Sequence, residues 1–498
     1  MRILSQSRSI ELFVLFGVLN QVLVGCSAGS GSNQLKIGPV IPLTNGLVLS
    51  PITGTNVMPL TVSADNTMTG PDGVTQGQCL SLSATNSAVG NNSPCVSVTV
   101  CPPASLTSTS AHCQVISGLL LDTGSVGLRV FRSVLNPDLL SNLTPLTYSG
   151  QSVAECMTDP DGSADWGPVA HATIFLAGEP GVNTPIQLID SVYGKSATQA
   201  SSGPSICLQY DSQNAQNPYL DQSPVNIPAA GAAAAVQGLG YNGILGVGLS
   251  SADGGPYYGC TPLPNPNPSP FFASGCNNVD ISTSLAQQVS NPVALMSPDP
   301  NSNGVQDSNG VILVLPSVGA AGAASAFGYL VLGIGTRANN TPLSGVTPFF
   351  ADSTTFEVTA TLNGVTNGAF IDSGTSYYQI PAGSSTLGLV ADCSNYGSQY
   401  SGYFCPANNS YAPVGLTFPF FGNPTQVMNQ VAISIGNPGA TFNHPNSVYS
   451  NIAIPSSLAG FGSSTVDLGL PFYLGRRIYH GISGASSSSF GKGPYWAF

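Results

Sequence analysis

Short apolar runs recur along the chain, each closed within a few residues by glycine, proline, asparagine or serine. The runs at residues 57–62, 95–101, 115–121, 172–176, 186–189, 206–210, 311–315, 330–334, 356–362 and 369–371 predict strands, because each is rich in the β-branched, aromatic or apolar residues that fit a pleated surface. A helical period is scarce, and residues 282–289 are one short candidate. Many short strands joined by turn residues predict an all-β protein. The Ala-rich stretch 229–236, the Pro/Asn-rich stretch 261–270 and the serine run near Ser486 read as surface loops.

Two of the predicted strands belong to an internal repeat. Residues 96–100 lead through a Pro-rich turn into the apolar run 115–121, which ends in Asp122-Thr123-Gly124-Ser125. Residues 356–362 turn at Asn363-Gly364, a favoured hairpin dipeptide, into residues 369–371, which end in Asp372-Ser373-Gly374-Thr375. A single Asp-Thr-Gly is no more than a strand-ending turn. Two copies 250 residues apart, each after an apolar strand, point to paired carboxylates. Such a pair cannot ionise twice cheaply, so it holds one proton and offers both a base and an acid. In this reading each glycine permits the tight turn, and the hydroxyls of Thr123, Ser125, Ser373 and Thr375 hold the carboxylates in place.

Composition narrows the class. The 498 residues are enough for two or three cores. Charged residues are 6% of the chain, yet 42% apolar residues exclude disorder, and 58 glycines with 40 prolines suit a turn-rich β protein. A net charge of -12 without any Lys/Arg cluster argues against a nucleic-acid partner. At the N-terminus, Arg2 and Arg8 precede a mostly apolar stretch that closes on Leu23-Val24-Gly25-Cys26. This resembles the lipobox of bacterial lipoproteins, which implies a signal peptide over 1–25 and a lipid anchor on Cys26. Residues 26–55 then read as a tether, and the protein is expected at the bacterial cell envelope, facing the periplasm or the outer membrane. Setting Cys26 aside leaves ten of the 11 cysteines, an even number suited to an oxidising compartment. The spacings favour Cys79–Cys95, Cys101–Cys113, Cys156–Cys207, Cys260–Cys276 and Cys393–Cys405.

Over residues 56 to 498 the sequence resembles the pepsin-like aspartic proteases. Asp122-Thr123-Gly124-Ser125-Val126-Gly127-Leu128 is similar to the first catalytic loop of that family, and Asp372-Ser373-Gly374-Thr375-Ser376 to the second. Tyr241-Asn242-Gly243-Ile244-Leu245-Gly246-Val247-Gly248 resembles the segment that crosses behind the first loop, and Leu468-Gly469-Leu470-Pro471-Phe472-Tyr473-Leu474 the strand that supports the second. Tyr329-Leu330-Val331-Leu332-Gly333 and Pro494-Tyr495-Trp496-Ala497-Phe498 resemble two further family strands. The chain is also similar to a bacterial lipoprotein branch of this fold. The resemblance implies an all-β, bilobal pepsin-like architecture, with an N-terminal lobe over 56–330, a C-terminal lobe over 331–498 and an active-site cleft between them.

It further implies catalytic roles for Asp122 and Asp372, a peptide or protein substrate, no cofactor, no metal and a monomer. Two departures stand near the site. Arg129 occupies a place where the family usually has tryptophan, and it either lowers the pKa of the pair or turns away into a salt bridge. The flap hairpin, residues 152–176, has no tyrosine, and Trp166 either covers the substrate in its stead or is a core aromatic.

Other chemistries are weaker. No histidine stands in a metal-site motif, no Gly-x-Ser-x-Gly elbow is present, and the Gly-x-Gly-x-x-Gly at 238–243 lacks a nucleotide-binding context. The Asp/Asn loops beginning at Asp299 and Asp307 could ligate calcium, but the closing glutamate is missing. Two functions remain: an aspartic-type endopeptidase, or an envelope protein that uses the cleft to bind a peptide or glycan.

Overall fold

The computed structural model of the protein describes residues 49–498 apart from 64–67, 70–74, 77–91, 159–163, 192, 195–206, 208–240, 264–270, 272, 281–286, 300–303, 382–387, 391, 408–412, 423–428, 443–445 and 460–463. The signal peptide, Cys26, most of the tether, Cys79, the Ala-rich stretch and most of the 282–289 candidate lie outside the described residues. None of the described helices is long and apolar enough to cross a membrane.

The apolar runs form strands close to where the pattern places them, including Val57–Ser63, Pro94–Cys101, Gln114–Asp122, Gly310–Val314 and Ser325–Leu332. Gln114–Asp122 pairs antiparallel with Pro94–Cys101. Gly243–Val247 then runs parallel to it, Gly246 opposite Asp122, and antiparallel to Val126–Phe131, Leu245 opposite Leu128. A strand thus crosses between the two arms of the first Asp-Thr-Gly loop. All of Val126–Phe131 and Gly243–Val247 is buried, which explains their apolar or glycine character, broken only by Arg129.

The second repeat builds the same device in a separate seven-strand sheet. Val358–Leu362 and Val365–Phe370 form its hairpin, turning at Asn363 and Gly364, both at positive φ. Thr465–Asp467 runs parallel to Val365–Phe370, Asp467 opposite Phe370. Phe356 and Glu357, expected in this strand, instead close a turn in which the Asp352 carboxylate accepts the N–H groups of Thr354 and Thr355. Asp352 is the kind of residue that diverts a backbone from a ladder into a turn.

The last strands leave this sheet. Arg477–Gly481 pairs with Gly310–Val314, and Tyr495–Ala497 pairs with Pro348–Phe350 in the larger sheet. One apolar core joins Leu119 and Leu121 of the first repeat to Ala369 and Ile371 of the second. Full burial of each Leu or Ile in it contributes about 1.5–3 kcal/mol, so truncating Leu121 or Ile371 to alanine would loosen both loops at once. The protein is all-β and bilobal, as expected for a pepsin-like fold.

Four expected disulfides are present: Cys101–Cys113, Cys156–Cys207, Cys260–Cys276 and Cys393–Cys405. Cys95 is also disulfide-bonded. Asp299 and Asp307, considered above for calcium, both direct their carboxylates onto the Arg337 guanidinium.

Candidate active site

Each half-site begins where a strand ends. Asp122 is the last residue of Gln114–Asp122, and Asp372 follows Val365–Phe370 by two residues. The residue after each aspartate locks one loop to the other. The Ser373 hydroxyl donates to the Leu121 carbonyl at 2.7 Å and accepts the Thr123 N–H at 3.1 Å. The Thr123 hydroxyl in turn accepts the Ser373 N–H at 2.9 Å. All of these atoms are buried, so the interlock holds the loops where water cannot compete.

The carboxylates meet above this lock. The Gly124 N–H lies 2.7 Å from Asp122 Oδ1 and 3.1 Å from Asp372 Oδ1, one donor serving both groups. The Gly374 N–H donates to Asp372 Oδ1 at 2.7 Å. Glycine is required at both places by close approach. A Cβ on Gly124 would stand 2.5–2.8 Å from the Asp372 carboxyl, and one on Gly374 2.7 Å from Asp122 Oδ1.

The hydroxyls do not act alike. Thr375 donates to Asp372 Oδ2 at 2.8 Å. Ser125, expected to do the same for Asp122, makes no side-chain hydrogen bond among the described residues although its Oγ is buried. Ser125 immediately precedes the fully buried strand Val126–Phe131.

Burial holds the Asp372 carboxyl well above the usual carboxylate range, and the neighbouring charges of Asp122 and Asp467 push the same way. Asp467 was not singled out from the sequence. It lies in the strand that crosses behind the second loop, fully buried, with Oδ1 accepting the Gly469 N–H at 2.8 Å. Burial pushes its pKa up to about 8, against the pull of hydrogen bonds from Gly469 and Thr375. The signal that could have exposed it is a charged residue inside the apolar run Val466-Asp467-Leu468, at the position where the first crossing strand has Ile244.

A second unforeseen chain of groups lies behind Thr123. Tyr473 Oη is 2.7 Å from Thr123 Oγ1 and 3.1 Å from His480 Nε2. Burial lowers the His480 pKa to about 3, so its imidazole is neutral and serves as a fixed hydrogen-bond partner.

Both departures from the family pattern turn away from the cleft. Arg129 is 1% exposed, and its guanidinium meets Glu155 at 2.8 Å and Asp253 at 2.7 Å. A guanidinium buried beneath the flap needs carboxylates of its own, and these two occupy it, so the salt-bridge alternative holds. Trp166 is fully buried, donates from Nε1 to the Tyr193 carbonyl at 2.9 Å and packs edge-on against Tyr258. It is a core aromatic and does not cover the dyad. The flap instead sends Met157 and Thr158 to the cleft.

The cleft has a volume of about 390 Å³. Beside the dyad loops, its walls include Leu249, Glu357, Phe370 and Trp496. The described residues contain no cluster of three or more metal-ligating side chains.

An aspartic proteinase from Irpex lacteus is a solved structure to which the chain is similar, at 15% identity and a TM-score of 0.39, covering 81% of this chain and 93% of that one. No curated protein sequence matches the chain. Residues 77–498 match the family described as "Protein of unknown function (DUF3443)", and the chain belongs to that family.

Proposed function

We propose that the protein is an aspartic-type endopeptidase of the bacterial cell envelope, with Asp122 and Asp372 as its catalytic residues. The observation that carries this reading is the single Gly124 N–H bridging both carboxylates at the floor of a cleft. The pair holds one proton, on Asp372, and presents one negative charge, on Asp122. Asp122 takes a proton from a water while the water oxygen bonds to the scissile carbonyl carbon. Asp372 gives its proton to the carbonyl oxygen, forming a gem-diol. Asp122 then passes its proton to the amide nitrogen as the C–N bond breaks, and Asp372 recovers a proton from a diol hydroxyl. Acid–base assistance of this kind contributes about 10²–10⁴-fold. Ser373, Thr123 and the two glycines keep the carboxyls together, and no cofactor enters the scheme.

Export and a lipid anchor on Cys26 are part of the same proposal. Detergent partitioning of the mature protein, with loss of lipid labelling in Cys26→Ser, is the expected outcome; unchanged labelling would remove the anchor. A competing reading, a cleft that only binds peptide or glycan, is favoured by the absence of tyrosine from the flap sequence. A peptide-library digest at several pH values separates the two. The peptidase reading expects a bell-shaped profile, because the pair must hold one proton and not two. A wild type inert toward diverse peptides, with retained ligand affinity in Asp122→Asn and Asp372→Asn, would favour binding alone.

A further inference from the structure

The cleft wall carries one more acidic side chain, Glu357, which has no part in the dyad. Among the described residues its carboxylate makes no salt bridge and no side-chain hydrogen bond. Other acids in the described protein are treated differently. Glu155 and Asp253 meet Arg129, Asp190 meets Arg132, and Glu179, Asp299 and Asp307 meet Arg337. None of the described residues lining the cleft is Lys, Arg or His. In a chain with 10 Lys and Arg against 22 Asp and Glu, no described cation is placed where it could answer Glu357.

The carboxylate is nevertheless held in place. Asp352 Oδ1 accepts the N–H groups of Thr354 at 2.8 Å and Thr355 at 2.9 Å. The Phe356 N–H returns to the Asp352 carbonyl at 3.0 Å, and the Asp352 N–H donates to the Glu357 carbonyl at 2.8 Å. This closed turn forces Phe356 to a φ of +56°, which a bulky residue rarely adopts. Strain of this kind persists where the surroundings demand it, and it is concentrated at functional sites. Across the hairpin, Gly368 leaves the space the carboxylate occupies: a Cβ there would stand 2.7 Å from Glu357 Oε2. Partial burial, and then the charge of Asp352, raise the Glu357 pKa, which means the carboxylate is under-solvated and under-paired.

We infer that Glu357 forms a subsite for a lysine or arginine side chain of the bound peptide, close to the bond that is cut. This rests on the peptidase reading and adds a substrate class to it. The ammonium or guanidinium would pair with the carboxylate, and the aliphatic stem would lie along apolar walls such as Phe356 and Phe370.

The test compares kcat/KM for matched peptides carrying Lys, Arg, Met or Glu at each position around the scissile bond. Wild type is expected to prefer Lys or Arg over Met about tenfold at one position, the effect of one hydrogen bond to a charged group. Glu357→Gln should bring that ratio close to one, and Glu357→Lys should turn it toward Glu. Gly368→Ala, which displaces the carboxylate without removing its charge, should lower the ratio while the chain still folds by circular dichroism. Taking the ratio cancels any general loss of activity in a variant. A wild type that cuts peptides without a basic preference, or a preference that survives Glu357→Gln, overturns the subsite. If wild type cuts nothing, the peptidase reading falls, and the same peptides are titrated calorimetrically against it. Equal affinity for the Lys and Met peptides then overturns the subsite as well, whereas tighter binding of Lys that is lost in Glu357→Gln supports it.

Discussion

Asp122 and Asp372 end matching strands and open matching loops, but the surroundings behind them differ. Behind Asp122, the crossing strand places Ile244 opposite Leu120. Behind Asp372, the equivalent position, opposite Phe370, is Asp467. The hydroxyl three residues after the aspartate is idle in the first loop, at Ser125, and bonded in the second, at Thr375. Two-fold repetition brings the carboxyls together; departures from it decide which one keeps the proton. Asp372 is buried beside a second buried acid, and these outweigh the Thr375 donor that pulls its pKa down, so it is the member assigned the proton.

The largest effect expected from breaking this comparison is on turnover. Asp122→Asn and Asp372→Asn should each lower kcat/KM by about 10⁴-fold or more, since neither leaves both an acid and a base. Their stability profiles should differ. Asparagine at 372 imitates the protonated acid, so Asp372→Asn should remove the fall in stability that ionising this carboxyl imposes as pH rises. Thermal melts across pH check this, and identical profiles for the two variants would erase the asymmetry.

A smaller but still large effect is expected at Asp467. Its pKa is raised from 3.8 to about 8 on folding, so its contribution to stability is fully present below 3.8 and is lost as pH climbs through 8. Over that interval wild type should lose several kcal/mol of stability that Asp467→Asn retains, on the order of 1 kcal/mol or more for each pH unit crossed. Removing the charge that raises Asp372 should also move the alkaline limb of the kcat/KM profile to lower pH. Melting curves and pH–rate profiles of the one variant read both outcomes, and an unmoved limb would separate Asp467 from the dyad.

Third in size is Tyr473→Phe. It strips a buried hydrogen bond from Thr123 and leaves His480 Nε2 unpaired, an expected loss of about 1–3 kcal/mol in denaturant unfolding. The least effect is expected at Ser125. Ser125→Ala should change kcat/KM by less than about threefold, whereas Thr375→Val, which removes the hydrogen bond to Asp372 Oδ2, should lower it about tenfold. Equal losses in the two variants would restore the symmetric picture.

Much of the site was legible because its main feature is local and duplicated. An apolar strand ending in Asp-[Thr/Ser]-Gly carries its own geometry, and the glycine reports a close approach that no side chain tolerates. Three of the described disulfides were legible for a similar reason, since separations of 12 to 16 residues pair near neighbours in the chain, whereas Cys156–Cys207 spans 51 residues. Arg129 and Trp166 were placed only as alternatives, because a buried cation or indole is decided by partners far away in sequence. Asp253 lies 124 residues from Arg129, and the Tyr193 carbonyl that receives Trp166 Nε1 is 27 residues from it. Ser125 was misread because spacing alone shows that a hydroxyl is near an aspartate, not that its rotamer reaches it.

The sequence by itself determined the all-β class, the repeat and the two aspartates, because these follow from short apolar strands and from a close approach that only glycine tolerates. Tertiary structure alone decided that Asp467 stands behind Asp372, that Tyr473 and His480 support Thr123, and that Glu357 faces the cleft over Gly368. Those relations depend on which strands cross and on what burial does to a charge. A carboxyl reads the same in sequence whether it is solvated, paired with arginine or buried beside another acid. Its environment, assembled from distant segments, sets its proton and its role.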